Sequence, residues 1–197
     1  MIVKRSIEEL AYHFFANVHR CAYLCLMKKL PEYSFDDYLS CFPAVDLPVN
    51  LTEASIYSFE KENKPFPQAI IEQFILPIES EPPDEFTEFV PCFQLKDTNQ
   101  FTAVVYWKAR LMQYEFILAT YDEKRRFIKS AVIAGTKTTR EQILQSVAHL
   151  DEEWKIHIVE GVQDVRAKAY DPQNSNHYSM EILDTGDIIF SLNDELV

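Results

Sequence analysis

Glycine is scarce in this chain: Gly135, Gly161 and Gly186 are the only three in 197 residues. Phosphate-cradling loops need several glycines close together so that backbone amides can approach the ligand. Neither a P-loop nor a dinucleotide-binding fingerprint is therefore present. No GxSxG elbow and no HExxH pair occurs either, which removes the hydrolases and metalloproteases those motifs define. Cysteine is sparse as well. Cys21, Cys25, Cys41 and Cys92 contain no CxxC pair and fit no zinc spacing. Cys21 and Cys25 stand at i,i+4 in an apolar run, where a free thiol behaves as a small hydrophobe. Free thiols of this kind suit a reducing compartment.

Positive charge falls short: 19 Lys and Arg stand against 31 Asp and Glu, a net charge of −12. Phosphate recognition needs clustered Lys and Arg, so nucleic acid and anionic membrane are not expected partners, whereas the charge permits a basic protein partner. A long apolar run is also missing. The N-terminal stretch MIVKRSIEELAYHFFANVHRCAYLCLMKK is interrupted by Glu8, Glu9, His13, Asn17, His19 and Arg20. It has neither the unbroken core of a signal peptide nor the length of a span. The expected location is cytoplasmic, and no cofactor or metal is expected.

What is present reads as an ordinary globular composition, 47% hydrophobic and 25% charged. Ser6-Ile-Glu-Glu9 forms a capping box and predicts a helix from Ile7 to Lys29, stopped by Pro31. Its apolar arc is wide, which points to burial on several sides or to a homodimer contact through this helix. Residues 32–77 are loop-rich, with a short helix predicted around Gln68–Leu76. The run PIESEPPDEF then reads as an acidic, proline-bearing linker over 78–86. From Phe86 onward short β-branched and aromatic runs alternate with polar turns. Trp154, Ile156 and Ile158 share one face, and Tyr178, Met180 and Ile182 another, the pattern of an antiparallel sheet with one wet side. Residues Thr138–Val147 fit a short helix or a strand equally well.

The expected organisation is therefore an N-terminal helical and loop-rich segment (1–77), a linker (78–86) and an antiparallel β domain (87–197). The expected fold class is α+β, with N-terminal helices packed on a twisted antiparallel β-meander of about six to eight strands.

Candidate chemistry is thin. The charged knot Asp122-Glu-Lys-Arg-Arg126 separates two strand-like runs and reads as a hairpin turn. Asp184-Thr-Gly186 matches the aspartic-protease triplet, but that site needs two such loops; a tight hairpin with Gly186 at positive φ is expected instead. The segment DPQNSN lacks the ligand spacing of a calcium loop. No catalytic residue is assigned. Trp107 shares strand parity with Phe101 and Val105 and is expected in the core. Tyr106, Lys108 and Arg110 alternate to the other face, where Tyr106 and Arg110 with His157 are the candidate binding residues.

FPAVDLP followed by PQAIIEQFILP, then a strand-rich half containing EFILATYDEKRRFIKSAVIAG, resembles uncharacterised Bacteroidetes-type α+β proteins with a C-terminal antiparallel β-meander. The resemblance covers Phe42 to the C-terminus and departs at the hairpin tip, where a glycine is expected near Arg125. It implies a fold and no activity. The functional expectation is a non-catalytic cytoplasmic binding protein, in one version an acidic immunity or inhibitor protein that neutralises a basic partner. The alternative is a small-ligand carrier or enzyme whose site is assembled from scattered residues.

Overall fold

Val104-Val105-Tyr106 and Phe116-Ile117-Leu118-Ala119 are apolar at successive positions, without the alternation of a half-wet strand. The structure gives the reason: both faces of these strands are covered. The computed structural model describes residues 32–98, 100–166 and 175–191. The chain divides into two compact units after Glu32, and every described element belongs to the unit from Tyr33 onward. The predicted Ile7–Lys29 helix, its capping box, Cys21, Cys25 and the homodimer contact lie outside the described residues.

The described elements run α1 (Phe35–Leu39), β1 (Ala44–Val45), β2 (Val49–Leu51), α2 (Ser55–Glu62) and α3 (Gln68–Ile70), which continues as a π-turn and a 3-10 turn to Ile78. Eight strands come next: β3 (Glu88–Leu95), β4 (Phe101–Arg110), β5 (Gln113–Asp122), β6 (Phe127–Thr138), β7 (Gln142–Leu150), β8 (Lys155–Asp164), β9 (Ser175–Ile182) and β10 (Ile188–Ser191). All belong to one ten-stranded sheet, in which β3 to β10 form an antiparallel meander. β1 adds parallel to β3, and β2 pairs antiparallel with the last residues of β7.

The α+β expectation is corrected on this point. The described chain is a mainly-β protein, with more strands than the six to eight expected and three short helices. Two features of the sequence concealed this. The loop-rich, proline-bearing segment donates two short strands to the sheet, and the ambiguous run Thr138–Val147 is no helix: it ends β6 at Thr138, turns, and enters β7 at Gln142, whose backbone pairs with β6 and β8. Residues 33–77 pack into the same unit as the meander.

Two apolar clusters hold the fold. The larger draws Leu51, Phe93, Val105, Phe116, Leu118, Ile156, Ile158 and Ile182 from strands β2 to β9, with Ile56 and Phe59 of α2 laid against it. The smaller lies on the opposite face of β4 and β5, where Val104, Tyr106, Ile117, Ala119 and Tyr121 meet Phe35, Tyr38, Phe42, Phe66, Ile70 and Ile75. Burying one such large side chain contributes roughly 1.5–3 kcal/mol. The short helices are therefore held by tertiary packing, since isolated helices of one or two turns are not stable in water. Ser34 caps α1: its hydroxyl accepts from the Asp37 amide at 3.1 Å, and Asp37 accepts from the Ser34 amide at 2.8 Å.

The turns obey the expected chemistry. Asp122 accepts from the amides of Arg125 and Arg126, through its carbonyl and its carboxylate, and closes the β5–β6 hairpin. Arg125 takes the left-handed φ of 66°, at the tip near which a glycine was expected. Its guanidinium is held by Asp36 at 2.9 Å and lies over the Phe35 ring, so this tip docks on α1. Gly186 turns the β9–β10 hairpin at φ +82°.

Candidate functional site

The expected binding residues separate into two places. Tyr106 and Arg110 share a face of β4, but the ring of Tyr106 is buried in the smaller cluster instead of facing solvent. Only its hydroxyl reaches polar surroundings, donating to Glu79 at 2.7 Å. Lys108, two residues on, donates to the other Glu79 oxygen at 2.5 Å and stands 3.9 Å from Glu115. Arg110 pairs with the Glu81 carboxylate and donates to its backbone carbonyl at 3.2 Å. The acidic run over 78–86 thus supplies the counter-charges for β4. Burial, then the nearby Glu79 carboxylate, pushes the Tyr106 hydroxyl well above its usual range.

A cleft of about 370 Å3 opens beside this network, bounded by Glu79, Glu81, Lys108, Arg110, Glu115 and Val132. Its size is within the range of small-molecule sites. Nε of Arg110 is buried there with no hydrogen-bond partner. Nζ of Lys108 lies between the carboxylates of Glu79 and Glu115. The arrangement can hold a small ligand.

His157 lies elsewhere, on β8, four places along the sheet order from β4. It donates through Nε2 to Asp151 at 3.1 Å and faces its register partner His149. Burial works against Asp151 ionising. The Lys155 amide, the His157 ring and the Glu153 amide outweigh it and hold the carboxyl below its ordinary value. Among the described residues no group of three or more His, Cys, Asp and Glu side chains is arranged to hold a metal ion. No helix among them is long and apolar enough to cross a membrane.

The turn between β4 and β5 was missed by sequence reasoning. Arg110 pairs with Gln113, leaving Leu111 and Met112 as a two-residue loop. Such loops favour Asn, Asp or Gly, because the backbone takes positive φ there. Here Met112 stands at φ 64°, and Leu111 and Met112 are 69% and 57% exposed. Phe86, just before β3 at the same end of the sheet, is 57% exposed. Beside Phe86 in the chain stand the exposed acids Asp84, Glu85 and Glu88. Large apolar side chains at a hairpin tip that breaks its own turn preference were visible in the run Arg-Leu-Met-Gln between two strands. They had no neighbours in sequence to mark them as a surface.

Comparison with family models, curated proteins and solved structures finds no match to this chain. The functional reading therefore rests on geometry alone. Cys41 and Cys92 are both free thiols, and burial pushes each above its usual range, most strongly at Cys92. A raised thiol is a poor nucleophile, so neither adds a reactive group.

Proposed function

We propose that this chain is a non-catalytic binding protein that meets a basic protein partner through the end of the sheet bearing Phe86, Leu111 and Met112. The observation that carries the reading is the Leu111-Met112 tip, where exposed apolar side chains persist on a backbone that favours glycine. Local rules are broken most often where function requires it. Exposed apolar anchors with a charged surround are the anatomy of a protein interface, and the net charge of −12 adds the field that steers a basic partner to the chain. Free thiols at Cys41 and Cys92 support a reducing, cytoplasmic setting.

The test is retention of partners by the immobilised full chain beside a Leu111→Ser/Met112→Asn double variant. The reading expects a Lys- and Arg-rich protein held in stoichiometric amount, released by raised salt and lost in the variant. Equal retention by both forms, or none by either, removes it.

One observation favours a second reading, a small-ligand carrier using the cleft. It is the unpartnered Nε of Arg110 at the cleft wall. A thermal shift produced by a small carboxylate and abolished in Arg110→Gln supports that reading over the first.

A further inference from the structure

His149 on β7 and His157 on β8 are directly opposed in the antiparallel register, with ring centroids 6.1 Å apart. Side chains so placed have Cβ atoms about 4.5–5.5 Å apart and lie on one face of the sheet. The pair is open to solvent, the His157 side chain being 45% exposed.

Each ring is also oriented from behind. Nδ1 of His149 donates to Asn50 Oδ1 at 2.8 Å, a contact made because β2 pairs with the end of β7 and sets Asn50 opposite His149. Nε2 of His157 donates to Asp151 Oδ2 at 3.1 Å. Both acceptors are oxygens that carry no proton, so in each neutral ring the bonded nitrogen holds the hydrogen. The other nitrogen, Nε2 of His149 and Nδ1 of His157, keeps its lone pair. An imidazole with one N–H tied to a carboxylate or carbonyl and the other nitrogen free is the form in which histidine ligates metals.

We propose that His149 and His157 form a two-imidazole chelate for a borderline divalent transition ion such as Zn2+. Asn50 and Asp151 orient the rings, and water or a partner's side chain completes the coordination. Imidazole pairs suit zinc, copper and nickel, whereas calcium and magnesium require oxygen ligands. Two imidazoles bound at about 2.0–2.1 Å to a tetrahedral ion bring their centroids to about 5 Å. The rings therefore close by about one ångström, a side-chain rotation that an exposed pair can make. Two protein ligands leave the remaining positions open, so the site holds an exchangeable ion and is not a structural centre. It depends neither on the Leu111-Met112 surface nor on the cleft.

The experiment adds Zn2+ alone to the metal-free full chain, tracking histidine ring nitrogens by NMR and affinity by competition with a chromogenic chelator. The chain carries other His and Cys residues, so total stoichiometry is not the readout. Substoichiometric zinc is expected to move Nε2 of His149 and Nδ1 of His157 together. His149→Gln and His157→Gln are each expected to weaken this site at least tenfold, while metal-free thermal unfolding falls by no more than the loss of one exposed hydrogen bond explains. If those two nitrogens stay unmoved while zinc binds elsewhere, or if the double variant binds as tightly as the parent, the proposal is overturned. The wild-type ring signals decide the matter alone should a variant fail to fold.

Discussion

The hydroxyl of Tyr106 meets the carboxylate of Glu79 at 2.7 Å, joining β4 to a segment 27 residues earlier in the chain. The other oxygen of that carboxylate receives Lys108, and both charged side chains are almost fully buried, at 5% exposure for Glu79 and 9% for Lys108. One acid therefore satisfies a tyrosine and an ammonium that the covered face of β4 would otherwise strand. What reads in the sequence as a solvated connector is, at Glu79, part of the packing.

Breaking this pair from one side is expected to be severe. Removing one partner of a buried ion pair typically costs about 3–5 kcal/mol, because the remaining charge has nowhere to go. Glu115 stands 3.9 Å from the Lys108 ammonium and offsets part of the loss, so Glu79→Gln is expected near the lower end, about 3 kcal/mol. Replacing both partners, as Glu79→Leu with Lys108→Met, should recover most of it. Urea denaturation measures each variant. A single substitution within about 1 kcal/mol of the parent would show that the pair is dispensable.

The uneven legibility of the sequence has a physical cause. Turns set by one or two residues were readable: Asp122 caps its hairpin, and Gly186 supplies a positive φ. The strands β3 to β6 and β8 to β10 were readable, since each is a short β-branched or aromatic run between polar turns, whereas β1, β2 and β7 were not. Whether a face is wet is not a local property. Tyr106 alternates correctly along β4, yet Tyr38, Phe42 and Phe66, all distant in sequence, cover its face. In the same way His149 and His157 stand eight residues apart with no metal-like spacing, and only the β7–β8 register opposes them.

Three buried tyrosines predict an alkaline limit. Burial pushes Tyr121 up to about 12 from an ordinary 10.0, and raises Tyr38 and Tyr106 as well. The folded state thus holds these protons more tightly than the unfolded chain does. Their contribution is complete below pH about 10, where both states are protonated, and is lost as pH rises through the folded values. Stability should stay level up to that point and then fall steeply, with tyrosinate absorbance and circular dichroism changing together. Ionisation of every tyrosine near its ordinary value, with the dichroism unchanged, would contradict the burial of this cluster.

Gly186→Ala tests the β9–β10 turn. The position requires φ +82°, and an added Cβ would lie 2.7 Å from Ile128 Cδ1 and 2.8 Å from Phe101 Cβ. Strain and crowding act in the same direction, so a loss of about 2 kcal/mol or more is expected. The crowding falls on residues of β4 and β6, so denaturant unfolding should remain a single transition shifted to lower urea. A neutral result would mean that this turn relaxes without disturbing either strand.

Met112→Gly separates stability from function at one atom set. Relieving a left-handed conformation on a non-glycine residue gains about 1–2 kcal/mol, and the greater freedom of glycine in the unfolded chain returns up to about 1 kcal/mol of that. The net expectation is a small stabilisation, read as a higher urea midpoint with unchanged slope. If the tip is the partner surface, the same substitution removes an exposed apolar anchor and weakens retention. Opposite signs in the two measurements mark a residue kept for binding at the expense of stability. A variant that is more stable and binds equally well would place the partner surface elsewhere on the sheet.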